Sequence, residues 1–166
     1  TTIMSSTPLA MQLCGLPVSA SASVIQWHML GMFVPSLFVG DLIRRFGVLT
    51  IMTLGALIVL MQIFVNLHGI SFGHFVVGLT LLGVGWNFLF IGGSTLLMQA
   101  WRPGEQGRVQ AAHDFVIFGL GSIGSFGSGA LLNASGWNAV NAAALPLLVF
   151  ALIMIALCRR RMSAPS

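Results

Sequence analysis

Five stretches of this chain carry almost no charge, each close to the ~20 residues that a helix needs to cross about 30 Å of hydrocarbon at about 1.5 Å per residue. They extend approximately from Ala22 to Val39, Val48 to Leu67, His74 to Met98, Val109 to Asn133 and Asn138 to Cys158, behind a partial helix at Thr1 to Leu13. Membrane β-strands are excluded, because they alternate in polarity over short segments of about ten residues and these runs are continuous. The sequence therefore predicts an all-α, polytopic transmembrane helix bundle of five complete spans plus a partial N-terminal helix. Composition agrees. Only 6% of the 166 residues are charged and the mean hydropathy is +0.97, whereas about a quarter of a soluble domain is charged. The 20 glycines suit membrane helices, which associate through close backbone approach rather than through a hydrophobic force.

Orientation follows from the basic residues, which accumulate in cytoplasmic loops. All seven are arginines: Arg44 and Arg45 follow the first complete span, Arg102 and Arg108 the third, and Arg159, Arg160 and Arg161 the fifth. The intervening Leu67 to Gly73 loop and Ala134 to Trp137 turn have none. Every arginine thus falls on one side, which places those loops and the C-terminus in the cytoplasm of a bacterial inner-membrane protein. The net charge of +4 does not imply a nucleic-acid partner, since scattered arginines between apolar runs form no phosphate-tracking groove. Cys14 and Cys158 fall on opposite sides of the bilayer, so they form no disulfide, and no zinc centre is expected from them. The chain begins at Thr1 within what reads as the end of a helix, and it is expected to be a piece of a longer protein.

The loop Gly40-Asp41-Leu42-Ile43-Arg44-Arg45-Phe46-Gly47 resembles the G-x-x-x-D-R-x-G signature of the major facilitator superfamily, in which it follows the second and eighth helices. Gly40, Arg45 and Gly47 fit, while Arg44 stands at the acidic position and Val48 at the basic one, as in a decayed second-half copy. Arg102 to Arg108 is similar to the short loop between helices ten and eleven. The resemblance implies the C-terminal six-helix half of such a transporter, residues 1–166, from the end of helix seven to helix twelve. It also implies that helices seven and ten line a central cavity, that eight and eleven face the other half, and that nine and twelve are peripheral. The presumed ninth helix, with only Thr53, Gln62 and Asn66 as polar side chains, and the twelfth, with Asn138 and Asn141, are accordingly expected to face lipid.

Several polar groups inside the spans are candidates for function, since ionisable side chains are costly in hydrocarbon. Asp114 is the only acidic residue within a span. It sits about a turn and a half into its helix, where it serves either gating or structure, or proton or cation coupling. Gln110, one turn earlier, is placed to bond it, whereas the successive His113 and Asp114 do not share a helix face. His28, on a stripe with Gly31 and Pro35, is read either as an interfacial neighbour of Trp27 or as a coupling residue, and Arg45 as a gating residue of the signature loop. Trp86 and Asn87 lie mid-span, and Gly83, Asn87 and Ser94 recur at helical spacing. Trp86, Asn87 and Ser94 are the candidate substrate contacts; the alternative for the amide is an interhelical hydrogen bond. Gly119, Gly121, Gly124, Ser125, Gly127, Ser128 and Gly129 bare one flank of the eleventh helix for close packing.

No phosphate loop, H-E-x-x-H or paired cysteines are present. Ser128 has no histidine in the following span to act as base, so an enzyme is not expected, nor are a cofactor or metal. The expected function is transport of a small organic solute by alternating access, with the lipid bilayer and the missing N-terminal half of the same protein as partners. The alternative is a small self-assembling channel or a non-transport structural subunit.

Overall fold

The computed structural model describes residues 2–100 and 104–163, and every element within them is a helix. In chain order these are α1 (Thr2–Leu13), α2 (Val18–Phe46), α3 (Val48–His68), α4 (Phe72–Ala100), α5 (Gln106–Ala142) and α6 (Leu145–Ser163). The expected helical bundle is present. Trp101, Arg102 and Pro103 of the expected cytoplasmic loop, and Thr1 of the first helix, lie outside the described residues.

Two glycines set the segmentation. Gly47, at φ 84° and ψ 148°, is all that separates α2 from α3, and Gly136, at φ 78° and ψ −179°, breaks α5 internally. Both conformations are essentially closed to residues with a Cβ. The Gly136 break lies within the Ala134 to Trp137 turn expected from the sequence. It divides an apolar run of 56 residues, Gln106–Arg161, which at about 1.5 Å per residue is far longer than one crossing. Residues 106–135 and 137–163 therefore make two spans, the second bending at Ala143 and Ala144 before α6.

Close packing centres on α4. Gly31 of α2 lies where a Cβ would fall 2.5 Å from the Thr80 carbonyl oxygen, and a Cβ at Gly83 would strike the His28 carbonyl oxygen. On the other side, a Cβ at Gly55 of α3 would come within 2.8 Å of Phe88 Cβ, and one at Gly85 within 2.9 Å of the Gly55 carbonyl oxygen. These contacts let the backbones of α2 and α3 lie directly against α4. At the end away from the arginines, Met11 of α1, Val24 of α2, Phe75 and Leu79 of α4, and Leu132, Trp137 and Val140 of α5 share one buried apolar cluster.

Polar residues of α3 and the last span, expected on lipid-facing helices, point inward instead. Gln62, Asn66 and Asn141 are buried. Asn141 Oδ1 accepts from Asn66 Nδ2 at 2.8 Å and from Gln62 Nε2 at 3.3 Å, while Asn141 Nδ2 donates to the Trp137 carbonyl at 3.0 Å. Gly78 of α4 makes room for Asn66, whose Oδ1 occupies the place of a side chain there. Each such interhelical bond is worth about 1 kcal/mol, and the network is incomplete, since Gln62 Oε1 and Asn66 Oδ1 are buried without a partner among the described residues. The outward faces, with Leu54, Leu57, Met61 and Phe64 exposed, remain apolar.

Candidate functional site

Trp86 and Phe90 stand one turn apart on the face of α4 turned toward α5. Their rings stack at 6.1 Å between centroids and 17° between planes. From α5, Phe118 meets Phe90 at 6.2 Å and the His113 imidazole meets it at 6.0 Å. Gly93 faces the same imidazole, and a Cβ there would make an ordinary contact at 3.7 Å from His113 Nε2. Trp86 and Phe90 then form one wall of a cleft of about 400 Å³ closed by Ile117 and Leu120 of α5 and by Leu147 and Leu148 of α6. The volume is within the ~300–1,000 Å³ of small-molecule sites, and an apolar wall with a few convergent polar groups is their usual chemistry.

The cleft lining itself is apolar apart from Thr2 and the Trp86 indole; a polar cluster lies next to it in the first turns of α5, where His113 meets Phe90. Asp114 Oδ1 accepts from Gln110 Nε2 at 2.8 Å and from His113 Nδ1 at 3.1 Å. A carboxylate only accepts, so the imidazole carries its proton on Nδ1 in this pair. From the sequence the direct His113–Asp114 pair is weak and a contact of His113 with a neighbouring helix is favoured; the imidazole does meet Phe90 of α4, and by rotating it also reaches the carboxylate one residue on. Side-chain exposure is 20% at His113 and 38% at Asp114.

The other candidates lie elsewhere. Asn87, next in sequence to Trp86, points to the opposite side of α4, where Nδ2 donates to the Met32 carbonyl of α2 at 2.8 Å. Gly83, one turn earlier, packs on the same helix, so the Gly83 to Asn87 stripe faces α2. Ser94 continues that stripe by spacing, and its Oγ is buried with no partner among the described residues. His28 is buried against α4 at 4% exposure, and Nδ1 donates to the Leu79 carbonyl at 2.8 Å. Both side-chain bonds run between α2 and α4 and use the second lone pair of a helical carbonyl. Arg45 is exposed with its guanidinium 5.3 Å above the Phe46 ring, and the neighbouring Arg44 pairs with Asp41 in an ion pair open to solvent.

Glycines on α5 differ from those on α4. Gly124 abuts Thr2, and Ser125 Oγ donates to Ser5 Oγ, which joins α5 to α1. A Cβ at Gly119, Gly127 or Gly129 would meet nothing within 4 Å. Close packing expected on this flank is realised among the described residues against α1. Phe90 and Phe118 were not singled out from the sequence. The signal for Phe90 was there in its i, i+4 spacing from Trp86, whereas Phe118 becomes visible only when α4 and α5 are set side by side.

Comparison with known proteins gives three relatives. The chain is 40% identical over 157 residues to the riboflavin transporter RfnT of Brucella anthropi, a match covering 95% of this chain and 39% of that protein. It is 31% identical over 141 residues to the uncharacterized MFS-type transporter YdeG of Bacillus subtilis, covering 84% of this chain and 33% of the relative. To YddS, another uncharacterized MFS-type transporter of the same organism, it is 28% identical over 158 residues, covering 93% and 36%. The chain thus spans little more than a third of the length of the relatives it matches. No family model and no solved structure matches it.

Proposed function

Because this chain belongs to the major facilitator superfamily, we propose that it forms the C-terminal six-helix half of a secondary transporter that moves a planar organic solute across the membrane by alternating access. The observation that carries the proposal is the aromatic wall of Trp86 and Phe90 beside the polar corner of Gln110, His113 and Asp114. Stacked rings bind a flat solute through its faces, with about 0.5–1.5 kcal/mol per aromatic contact beyond area burial. A hydrogen-bonding corner then orients its edge. The similarity to a riboflavin transporter favours a solute of that shape, a fused heteroaromatic ring with polar substituents, and riboflavin is the ligand to test.

The roles divide accordingly. Trp86 is a substrate contact, while Asn87 and Ser94 belong to the α2–α4 seam that holds α4 in place. His28 serves that same seam. Asp114, with His113, is the group of this half at which a proton or cation couples to the conformational change, and Arg45 acts in the loop between α2 and α3. Alternating access requires two states with different affinity for the solute, and the second bundle is the partner against which this one rocks.

Riboflavin flux into vesicles reconstituted with the full-length protein tests this reading. Saturable uptake reduced several-fold by Trp86→Ala supports it; absence of riboflavin binding and flux in the wild type removes the solute assignment. Orientation is tested separately in intact cells with Cys14 replaced by Ser. An impermeant thiol reagent should label Ile70→Cys and spare Thr50→Cys, and the reverse pattern overturns a cytoplasmic C-terminus.

A further inference from the structure

The turn from α3 to α4 holds two of the chain's four histidines, and in both the Nδ1 atom is already engaged. His68 Nδ1 donates to the Phe64 carbonyl oxygen at 2.8 Å, and the Phe64 ring lies 3.9 Å from the imidazole between centroids, which fixes the ring against the last turn of α3. His74 Nδ1 lies 2.7 Å from Ser71 Oγ. Its ring rests on Gly69, where any side chain would collide with it. Both rings line one cleft of about 460 Å³, with Phe64, Val65, Ser71 and Val77, at the end of the bundle away from the arginines.

An imidazole that ligates a metal ordinarily donates its other ring N–H to a backbone carbonyl or similar acceptor, which sets the tautomer and leaves the remaining nitrogen with its lone pair. His68 meets this condition through the Phe64 carbonyl, and His74 meets it when Nδ1 donates to Ser71 Oγ. We propose that His68 and His74 form a site for a divalent transition-metal ion such as Zn²⁺, bound through the two Nε2 atoms with water completing the coordination. Imidazole nitrogen suits zinc, copper and nickel, whereas magnesium and calcium take oxygen ligands. A bound ion ties the last turn of α3 to the first turn of α4. Two histidines that only cap helix ends have no such affinity.

The site is independent of the solute and of transport, so it is tested on purified full-length protein in detergent by calorimetric titration with ZnCl₂. The expected result is saturable Zn²⁺ binding that weakens at least tenfold in His68→Ala and again in His74→Gln, with MgCl₂ giving no heat. His68 is exposed, so its replacement leaves folding intact, and the far-ultraviolet circular dichroism of both variants verifies this. Absence of saturable Zn²⁺ binding in the wild type, or undiminished affinity in both variants, overturns the proposal.

Discussion

The two glycine-rich helices α4 and α5 use the same residue in opposite ways. On α4, Gly83 and Gly85 lie against neighbouring backbones of α2 and α3, and replacing either hydrogen by a Cβ forces those helices apart. On α5, Gly119, Gly127 and Gly129 face open space, and large apolar side chains of the same helix, Phe115 at 79% and Phe126 at 88% exposure, are left uncovered by the described residues. A small residue in a membrane helix therefore does not say by itself that a contact exists within the chain. It says that a backbone can be approached closely, and the surrounding side chains show whether the approaching surface is already here. On α5 it is supplied by lipid or, on the proposed reading, by the other half of the transporter.

Substitution of the two kinds of glycine by the same side chain breaks or sharpens this contrast. Gly83→Leu forces a branched side chain into the His28 backbone, and overpacking against a backbone that cannot yield is expected to cost about 3 kcal/mol or more. Folded abundance and melting temperature should fall sharply. A Cβ at Gly127 has nothing within 4 Å among the described residues, so Gly127→Leu should leave this half folded while transport by the full-length protein is lost. Equal loss of folded protein in the two variants contradicts the distinction between the helices.

Smaller effects are expected where the backbone or a single amide is at stake. Gly136→Ala places a Cβ at φ 78° and ψ −179°, a conformation that costs of order 1–3 kcal/mol for a residue other than glycine. A lower melting temperature with unchanged helix content is the expected readout. Asn66→Leu removes one of the two donors to Asn141 and should cost about 1 kcal/mol. The double replacement Asn66→Leu with Asn141→Leu is expected to cost less than the sum of the singles, because the two side chains share one bond.

Much of the fold was legible in the sequence because hydrocarbon imposes a length and an apolar character on each span, and because arginine is kept to one side. The break near Gly136 was readable for the same reason, as a run of 56 residues exceeds one crossing. What a single span conceals is which way its polar residues point. Gln62, Asn66 and Asn141 read as incidental on two peripheral helices, yet they are buried against one another, since an amide in a lipid-facing position finds no partner. Asn87 and Trp86 read as one site because they are adjacent, although neighbours on a helix point about 100° apart. The polar stripe, read from the sequence as substrate-facing, lies against α2 at Gly83 and Asn87, and the aromatic row beside it became legible only with α5 in place.

The central claim is that the two sides of α4 divide the work, with the Trp86 side holding the solute and the Asn87 side holding the helix. Riboflavin affinity measured on purified full-length Trp86→Ala and Asn87→Ala, together with the melting temperature of each, tests this most directly. The account predicts that Trp86→Ala weakens binding about 3- to 10-fold, equivalent to the ~0.5–1.5 kcal/mol of one aromatic contact, with little change in stability. Asn87→Ala should instead lower the melting temperature, by leaving the Met32 side of the seam without its donor, and should keep wild-type affinity in the protein that remains folded. Weakened affinity in Asn87→Ala with unchanged affinity in Trp86→Ala would contradict it.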